Sequence, residues 1–406
     1  MSERKTNNSA TWTIRYTLLN AAYFVAFCTI HAYAAVYLLA NGFNNTEVGV
    51  LLAVSNITSA IFQPVIAGVI DKPGFLTNKR FIMISVLIIL AGCTILMFVP
   101  GRKTMIFIVF ALIYMIQFSY QPVLTALCFE YQKAGCNIFY GLGRGLGSAS
   151  FAFTSLFIGN IVEKNGVSVL LWVSAAAMVL SAIVTLTFIK PQSTENTAES
   201  ETNEQSGVAH NSFFSFAKTY PSFMLFLVAT ICFFYAHNMI NDFMIQIIRH
   251  LGGNETELGI SNFLQAILEL PVMALIGIVL KKISANRLLI ISGFAFLVKI
   301  LILVFAKEVP HMYISQFCQL FAYAVFVPAG AYYVSSTMEE LDQVKGQAYI
   351  TSAITIGGVF SNMISGYILD HFSITTMLLT GSAVCAVGVV IGYIAMSHRD
   401  DGVSAA

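Results

Sequence analysis

The sequence predicts an all-α membrane protein of twelve transmembrane helices in two pseudo-symmetric six-helix bundles. Three observations carry that expectation: a shortage of charge, twelve long apolar runs, and a repeat of the first half in the second. Charged residues make up only 10% of the 406, hydrophobic residues 57%, and mean hydropathy is +0.78, whereas soluble domains carry about 25% charged residues. So little charge cannot cover a water-exposed surface of this size.

Apolar runs long enough to cross a hydrocarbon core of about 30 Å fall near 14–40, 47–70, 80–99, 104–131, 138–162, 167–189, 220–247, 257–280, 286–306, 310–336, 347–369 and 374–396. Each run is continuously apolar rather than alternating, which points to helices and not to barrel strands. Ala32-Tyr33-Ala34 resembles a signal-peptide cleavage site, but the apolar stretch continues to Ala40 and the repeat needs this helix. Fifteen of the 21 Lys and Arg fall on the side that also holds both termini. The positive-inside rule therefore puts both termini in the cytoplasm, in what is expected to be a bacterial inner membrane.

The longest polar stretch, Gln192 to Asn211, is rich in Ser, Thr, Asn and Glu with no apolar period, and reads as a flexible cytoplasmic linker. It divides the chain into an amino-terminal bundle (1–190), a linker (191–217) and a carboxy-terminal bundle (218–406). The bundles repeat. Gly42-Phe-Asn-Asn-Thr-Glu-Val-Gly49 matches Gly252-Gly-Asn-Glu-Thr-Glu-Leu-Gly259 at an offset of 210, and Gly159-Asn-Ile-Val-Glu163 matches Gly366-Tyr-Ile-Leu-Asp370 at an offset of 207. Duplicated halves with a solute site where they meet are a known transporter plan.

Net charge is +1, with no sign of a nucleic-acid partner. The seven cysteines lie in or beside apolar runs without metal or disulfide spacing, and read as small core residues. No P-loop, metal cluster or nucleophile–base–orienter set is present, so neither an enzyme nor a cofactor is expected.

Buried charge carries the site expectations, because a charge at mid-membrane costs about 2.5–3.5 kcal/mol on insertion scales and faces a partner or a cavity. Glu269 lies mid-span, followed by Leu270-Pro271, where proline opens the backbone. Lys299 is too deep to snorkel and needs a counter-charge, with Asp242 and Glu269 the available candidates. Asp242 sits near the outer end of its span, and a solvated vestibule residue is the alternative reading there. Arg144 and Phe151 lie two turns apart on nearly one face. Glu130 ends the fourth span as a partner for Arg144 or an interface residue. The ladder Gly141, Gly143, Gly145, Gly147 contains two overlapping Gly-x-x-x-Gly spacings and reads as close helix packing. His31 and His237, each on the first span of its half, are candidate proton carriers or donors to solute, or packing residues. Gln63, Gln117, Gln121, Asn20, Gln265, Gln316 and Gln319 add neutral hydrogen-bonding groups suited to hydroxyl-rich solutes.

The loop Ala67-Gly-Val-Ile-Asp71-Lys72-Pro-Gly74-Phe-Leu-Thr-Asn-Lys79-Arg80 resembles the signature loop of the major facilitator superfamily, with Ala67 where the first Gly is usual and the basic pair delayed. That resemblance implies a conformational latch at Asp71, Gly74 and Arg80. Tyr140-Gly-Leu-Gly-Arg144-Gly-Leu-Gly147-Ser-Ala-Ser-Phe151 is similar to the oligosaccharide:proton symporters of the lactose permease group. The likeness implies that Arg144 grips sugar hydroxyls, Phe151 stacks on a sugar ring, Glu269 partners both, and Lys299 lies in the proton pathway. Tyr323 and Phe326 stand where that group has a His and a Glu, and Asn238 and Asn241 replace its seventh-span acids. The expectation is a proton-coupled symporter for a sugar, glycoside or similar polyhydroxylated solute, acting as a monomer in the bilayer. Solute binding falls to Arg144, Phe151, Glu269, His31, His237, Gln121 and Gln265, and coupling to Glu269, Lys299, Asp242 and Glu130. The alternatives are a drug or metabolite exporter and a non-transporting sensor.

Overall fold

Residues 9–70, 72, 74–190 and 213–397 are described by the structure, a computed structural model in which every regular element among them is helical. In the first half α1 runs from Ser9–Phe27 through a π turn, Cys28–Ala32, into Ala34–Ala40. It is followed by α2 (Asn45–Ile70), α3 (Asn78–Phe98), α4 (Lys103–Lys133), α5 (Tyr140–Asn165) and α6 (Ser168–Leu186). In the second half α7 is Pro221–Asp242 continued by Met244–His250, then α8 (Glu255–Val279) and α9 (Ala285–Val304). Next, α10 comprises Val309–Phe317, a 3-10 turn at Cys318–Leu320 and Tyr323–Thr337. The chain closes with α11 (Glu340–His371) and α12 (Ile374–Ser397). Among the described residues eleven helices are long and apolar enough to cross a membrane. The eighth expected span, α8, is a further helix of 25 residues.

The repeat is visible in how the helices pack. Within the first half α1 lies on α5 and α6, α4 on α2 and α3, and α3 on α6. Within the second, α7 lies on α11 and α12, α10 on α8 and α9, and α9 on α12, which is the same set of pairings. The halves meet where α2 packs along α11 and α5 along α8. Both first helices break at equivalent places: Tyr33 (φ −111°, ψ 16°) after the π turn of α1, and Phe243 (φ −113°, ψ 22°) in α7, again 210 residues apart. Uninterrupted spans at 14–40 and 220–247 were the expectation; hydropathy is blind to a break that keeps the residues apolar. The same holds for 310–336, where α10 leaves the α-helix at Cys318–Leu320.

Local sequence sets the helix starts. Asn44 and Glu47 form reciprocal bonds between side chain and backbone (Glu47 N to Asn44 Oδ1 2.7 Å, Asn44 N to Glu47 Oε2 2.8 Å), and Asn254 with Glu257 does the same at α8. These are capping boxes, which satisfy amides that the first helical turn leaves without partners. The repeated Asn-x-Thr-Glu motif therefore starts two copies of one helix. At the other end of the bundle, Arg15 donates to the carbonyl of Thr187 (3.0 Å) and Lys79 to that of Phe188 (2.5 Å), placing positive charge at the carboxy-terminal end of α6.

Of the linker expected at 191–217, residues 191–212 lie outside the described residues, and its last part is helical. Phe213–Thr219 is a short helix whose Phe216 is buried against Tyr220, Phe223 and Tyr349. The aromatic side chains of this segment give it apolar surface to bury, which a purely polar linker lacks.

Candidate functional site

The candidate site is the space between the halves, and its shape follows from where they touch. Gly49 of α2 lies on the backbone of Asn362 and Gly366 lies on Asn45, so that α2 and α11 meet backbone to backbone. Gly159 meets Glu255 and Gly259 meets Ser155 in the same way between α5 and α8. All four contacts lie at the end opposite the start of α1. The other end is open: α2 buries Val48, Gly49, Leu51, Leu52, Ala53, Ser55 and Ser59, yet nothing from 60 to 70 is buried.

Between the closed end and the open one, side chains from both halves converge. Arg144 of α5 donates to Ser148 Oγ (2.7 Å) and sits over the ring of Phe24 at 4.5 Å. Phe151 lies 6.3 Å from Phe27, one turn further along α1. Arg144 and Phe151 thus do face one strip, the aromatic strip of α1. The glycine ladder uses one of its two spacings: Gly143 packs on Tyr16 and Gly147 on Asn20 and Phe24, while Gly141 and Gly145 have nothing within 4 Å.

His31, in the π turn of α1, stacks on Phe27 (3.9 Å, 15°) and lies 3.9 Å from Tyr114 and 4.8 Å from Phe118. The side chain of Gln117 lies beside the ring, within reach of its nitrogens, and none of these polar atoms has a partner outside the pair among the described residues. Across the interface Asp242 lies at the break of α7, within electrostatic range of Tyr114 and beside the side chain of Asn362. Asn362 is fully buried, and its amide meets no polar group other than Asp242 among the described residues. His237 accepts from Asn241 Nδ2 (2.9 Å) and stacks on Tyr323 (5.1 Å, 10°).

The charged centre of the second half is arranged differently from the expectation. Lys299 is fully buried and has no carboxylate within salt-bridge distance among the described residues. Its ammonium donates to Gln319 Oε1 (2.8 Å), and Gln319 Nε2 donates to Glu269 Oε1 (2.7 Å). An amide therefore stands between the two charges. Tyr323 lies within electrostatic range of both Glu269 and Arg144, linking this centre to the first half. Phe326 instead fills an aromatic core with Phe226, Phe233, Phe234 and Phe296.

Other expected residues lie elsewhere. Glu130 accepts from Asn78 (2.8 Å) and pairs with Lys190 at the open end of the first half, so it is neither a partner of Arg144 nor part of the central cluster. Its place as the last acid of a helix that ends at Lys133 leaves it free to meet water and a surface lysine. Gln121 and Gln265 are half-buried on α4 and α8, with no side-chain partner recorded for either. In the expected latch, Asp71 lies outside the described residues. Arg80 donates to the carbonyl of Phe75 (2.6 Å) and covers its ring, tying the loop to itself. Gly74 does not take the left-handed conformation that would demand glycine.

Sequence reasoning counted Gln319 and Gln117 only as generic amides and passed over Asn362; an amide buried in an apolar run was the available signal. It noticed the repeats ending in Glu163 and Asp370 without seeing what they touch. Asp370 accepts from Asn45 N (3.0 Å), Asn45 Nδ2 (2.9 Å) and Thr46 N (2.7 Å), and Glu163 accepts from Asn254 Nδ2 (2.9 Å) and Thr256 Oγ1 (2.5 Å). Each repeat of one half thus closes on the other repeat of the opposite half.

Solved structures with this architecture are membrane transporters. The nucleoside transporter NupG superposes with a TM-score of 0.80 at 14% identity, over 96% of this chain and 100% of that one. A bacterial homologue of the human lysosomal transporter Spinster gives 0.73 at 11%, over 97% of each chain, and a POT family peptide transporter 0.73 at 11%, over 98% and 99%. An uncharacterized transporter of Bacillus subtilis (strain 168), YwbF, is 22% identical over 340 residues, 83% of this chain and 81% of that protein. The profile of the MFS_1-like family matches residues 14–379, and the chain belongs to that family of major facilitator transporters.

Proposed function

We propose that this chain is a secondary transporter that moves a neutral, hydroxyl-bearing glycoside, with a nucleoside as the leading candidate, by alternating access and in symport with protons. The observation that carries the reading is the set of buried polar groups with spare hydrogen-bonding capacity on the two sides of the interface: His31 and Gln117 in one half, Asn362 and the Asn241 Oδ1 in the other. A buried donor or acceptor left unsatisfied costs about 1–3 kcal/mol. Uncharged amides and imidazoles at such a place suit a solute with many hydroxyl or amide groups, and the stacked rings of Phe27 and His31, with Phe151 nearby, suit one that also presents a flat ring. The likeness to a protein described as a nucleoside transporter supports the same choice.

Proton coupling would fall to Asp242 and Glu269, two carboxylates set inward from the rim acids Asp370 and Glu163, with Lys299 as the fixed positive charge. Two helical bundles joined by the linker, a bacterial cytoplasmic membrane with both termini inside, and action as a monomer complete the reading. The open end then faces the cytoplasm. Purified protein in vesicles, supplied with radiolabelled uridine, adenosine or lactose and an imposed pH gradient, tests it. Accumulation of a nucleoside that collapses with the gradient is the expected result. Lactose accumulation alone would favour the sugar reading, and extrusion of all three the exporter reading.

A further inference from the structure

The bridge from Lys299 through Gln319 to Glu269 has a direction built into it. A primary amide accepts at its oxygen and donates at its nitrogen, and an ammonium can only donate. Lys299 therefore fixes the Gln319 amide with its oxygen towards α9 (2.8 Å) and its nitrogen towards α8. The nitrogen then requires an acceptor, and Oε1 of Glu269 at 2.7 Å supplies it. A proton on Oε1 would set donor against donor, and turning the amide round to relieve that would set its NH2 against the ammonium.

The backbone holds the bridge in register. Gln319 lies in the 3-10 turn of α10, and beyond it Ala322 (φ −81°, ψ −100°) is far from helical. The carbonyl of Ala322 accepts from Ser292 Oγ of α9 at 2.8 Å. Ser292 and Lys299 are seven residues apart, on one face of α9, and both reach the same break in α10. Lys299, Gln319 and Ser292 are fully buried, whereas Glu269 keeps partial exposure.

We infer that Gln319 is a positioning residue that commits Oε1 of Glu269 as an acceptor and leaves Oε2 as the one oxygen through which Glu269 takes up a proton or a solute hydroxyl. The inference rests on the reading of Glu269 as a transport residue, but its structural core is tested without any solute. In the purified full-length protein in lipid, the carboxylate stretch of Glu269 is the infrared band missing from Glu269→Gln. Gln319→Met keeps the length and apolar packing of the side chain and removes both hydrogen bonds; it shifts that band. Lys299→Met shifts it in the same sense, because the amide is no longer held in one orientation. The double variant Lys299→Met/Gln319→Met reproduces the spectrum of Gln319→Met, since residues acting through one another are not additive.

A residue that only fills space would leave the band in place in all three variants while lowering thermal stability, and that result overturns the inference. Should Gln319→Met fail to purify because it strands the ammonium, the double variant carries neither charge nor amide and decides the matter alone: an unmoved band overturns the proposal. Uridine uptake by the same preparations separates the two levels. Band shifts in protein that transports none of the nucleosides or lactose leave the bridge standing and remove the transport reading of Glu269.

Discussion

Asp370, the last acid of α11, caps the amino terminus of α2 by accepting from the backbone amides of Asn45 and Thr46 at 3.0 and 2.7 Å. The contact joins the two halves, and it places a carboxylate where a helix carries unpaired amides and partial positive charge. Glu163, at the equivalent place in the other half, accepts instead from the side chains of Asn254 and Thr256 at the start of α8. Asp370 lies at the water-exposed rim, so it is worth about as much as an ordinary cap. Asp370→Ala is expected to weaken closure of this end by about 1 kcal/mol, roughly fivefold in the closed-to-open ratio. Amide hydrogen exchange in the first turn of α2 should rise accordingly. Asp370→Asn keeps an acceptor and should lose less. Glu163→Ala should loosen α5 from α8 and add to Asp370→Ala, because the two contacts share no partner; unchanged exchange in Asp370→Ala would remove the capping role.

The four interface glycines give a sharper expectation, since what a side chain would meet there is backbone and cannot swing away. A Cβ at Gly49 would collide with the carbonyl of Asn362, and one at Gly366 with that of Asn45. Gly49→Leu or Gly366→Leu should hold α2 and α11 apart. Uptake should then fall by roughly tenfold or more, because a transporter that cannot close one end cannot alternate. Gly141→Leu and Gly145→Leu are the controls, with open space around both positions. Loss of transport in the controls as well would mean that bulk on any glycine, not closure, is being measured.

Arg144 separates solute recognition from stability. It donates to Ser148 and covers the face of Phe24, and among the described residues no carboxylate pairs with it, so removing the guanidinium breaks no ion pair. Arg144→Lys keeps the charge but loses the planar fork and the stacking. Thermal stability should change by less than about 0.5 kcal/mol, as for a substitution outside the core. The apparent KM for the transported solute should rise about tenfold, as when one charged hydrogen bond is lost. A variant with normal KM would place Arg144 outside the solute path.

How much of this was legible in the sequence depended on scale. Length and hydropathy located the helices because burial in lipid leaves a signal twenty residues long. The breaks at Tyr33, Phe243 and Cys318–Leu320 keep their neighbours apolar, and so left none. The repeats around Gly49 and Gly366 were readable as repeats, yet their meeting across the halves depends on which helices face each other. Glu269 and Lys299 stood out as charges in apolar runs. Gln319 did not, because a neutral amide between them is ordinary until both of its hydrogen bonds are seen. The Asn-x-x-Glu capping boxes at Asn44 and Asn254 were available from spacing alone.

Asp242 differs from Glu269 in having no amide bridge to a buried cation. It sits at the break of α7 between Tyr114 of one half and Asn362 of the other, and no basic group pairs with it among the described residues. A carboxylate largely withdrawn from water with no cation to balance it is costly while ionised, and a proton relieves that cost. Proton binding here would therefore favour the state that encloses Asp242. Asp242→Asn mimics the protonated form permanently. It should abolish proton-driven accumulation while leaving exchange of labelled for unlabelled solute within about twofold of the unaltered protein, because exchange needs no net proton movement. Accumulation surviving in Asp242→Asn would shift the coupling role to Glu269 alone. Loss of exchange together with accumulation would instead make Asp242 part of the solute site.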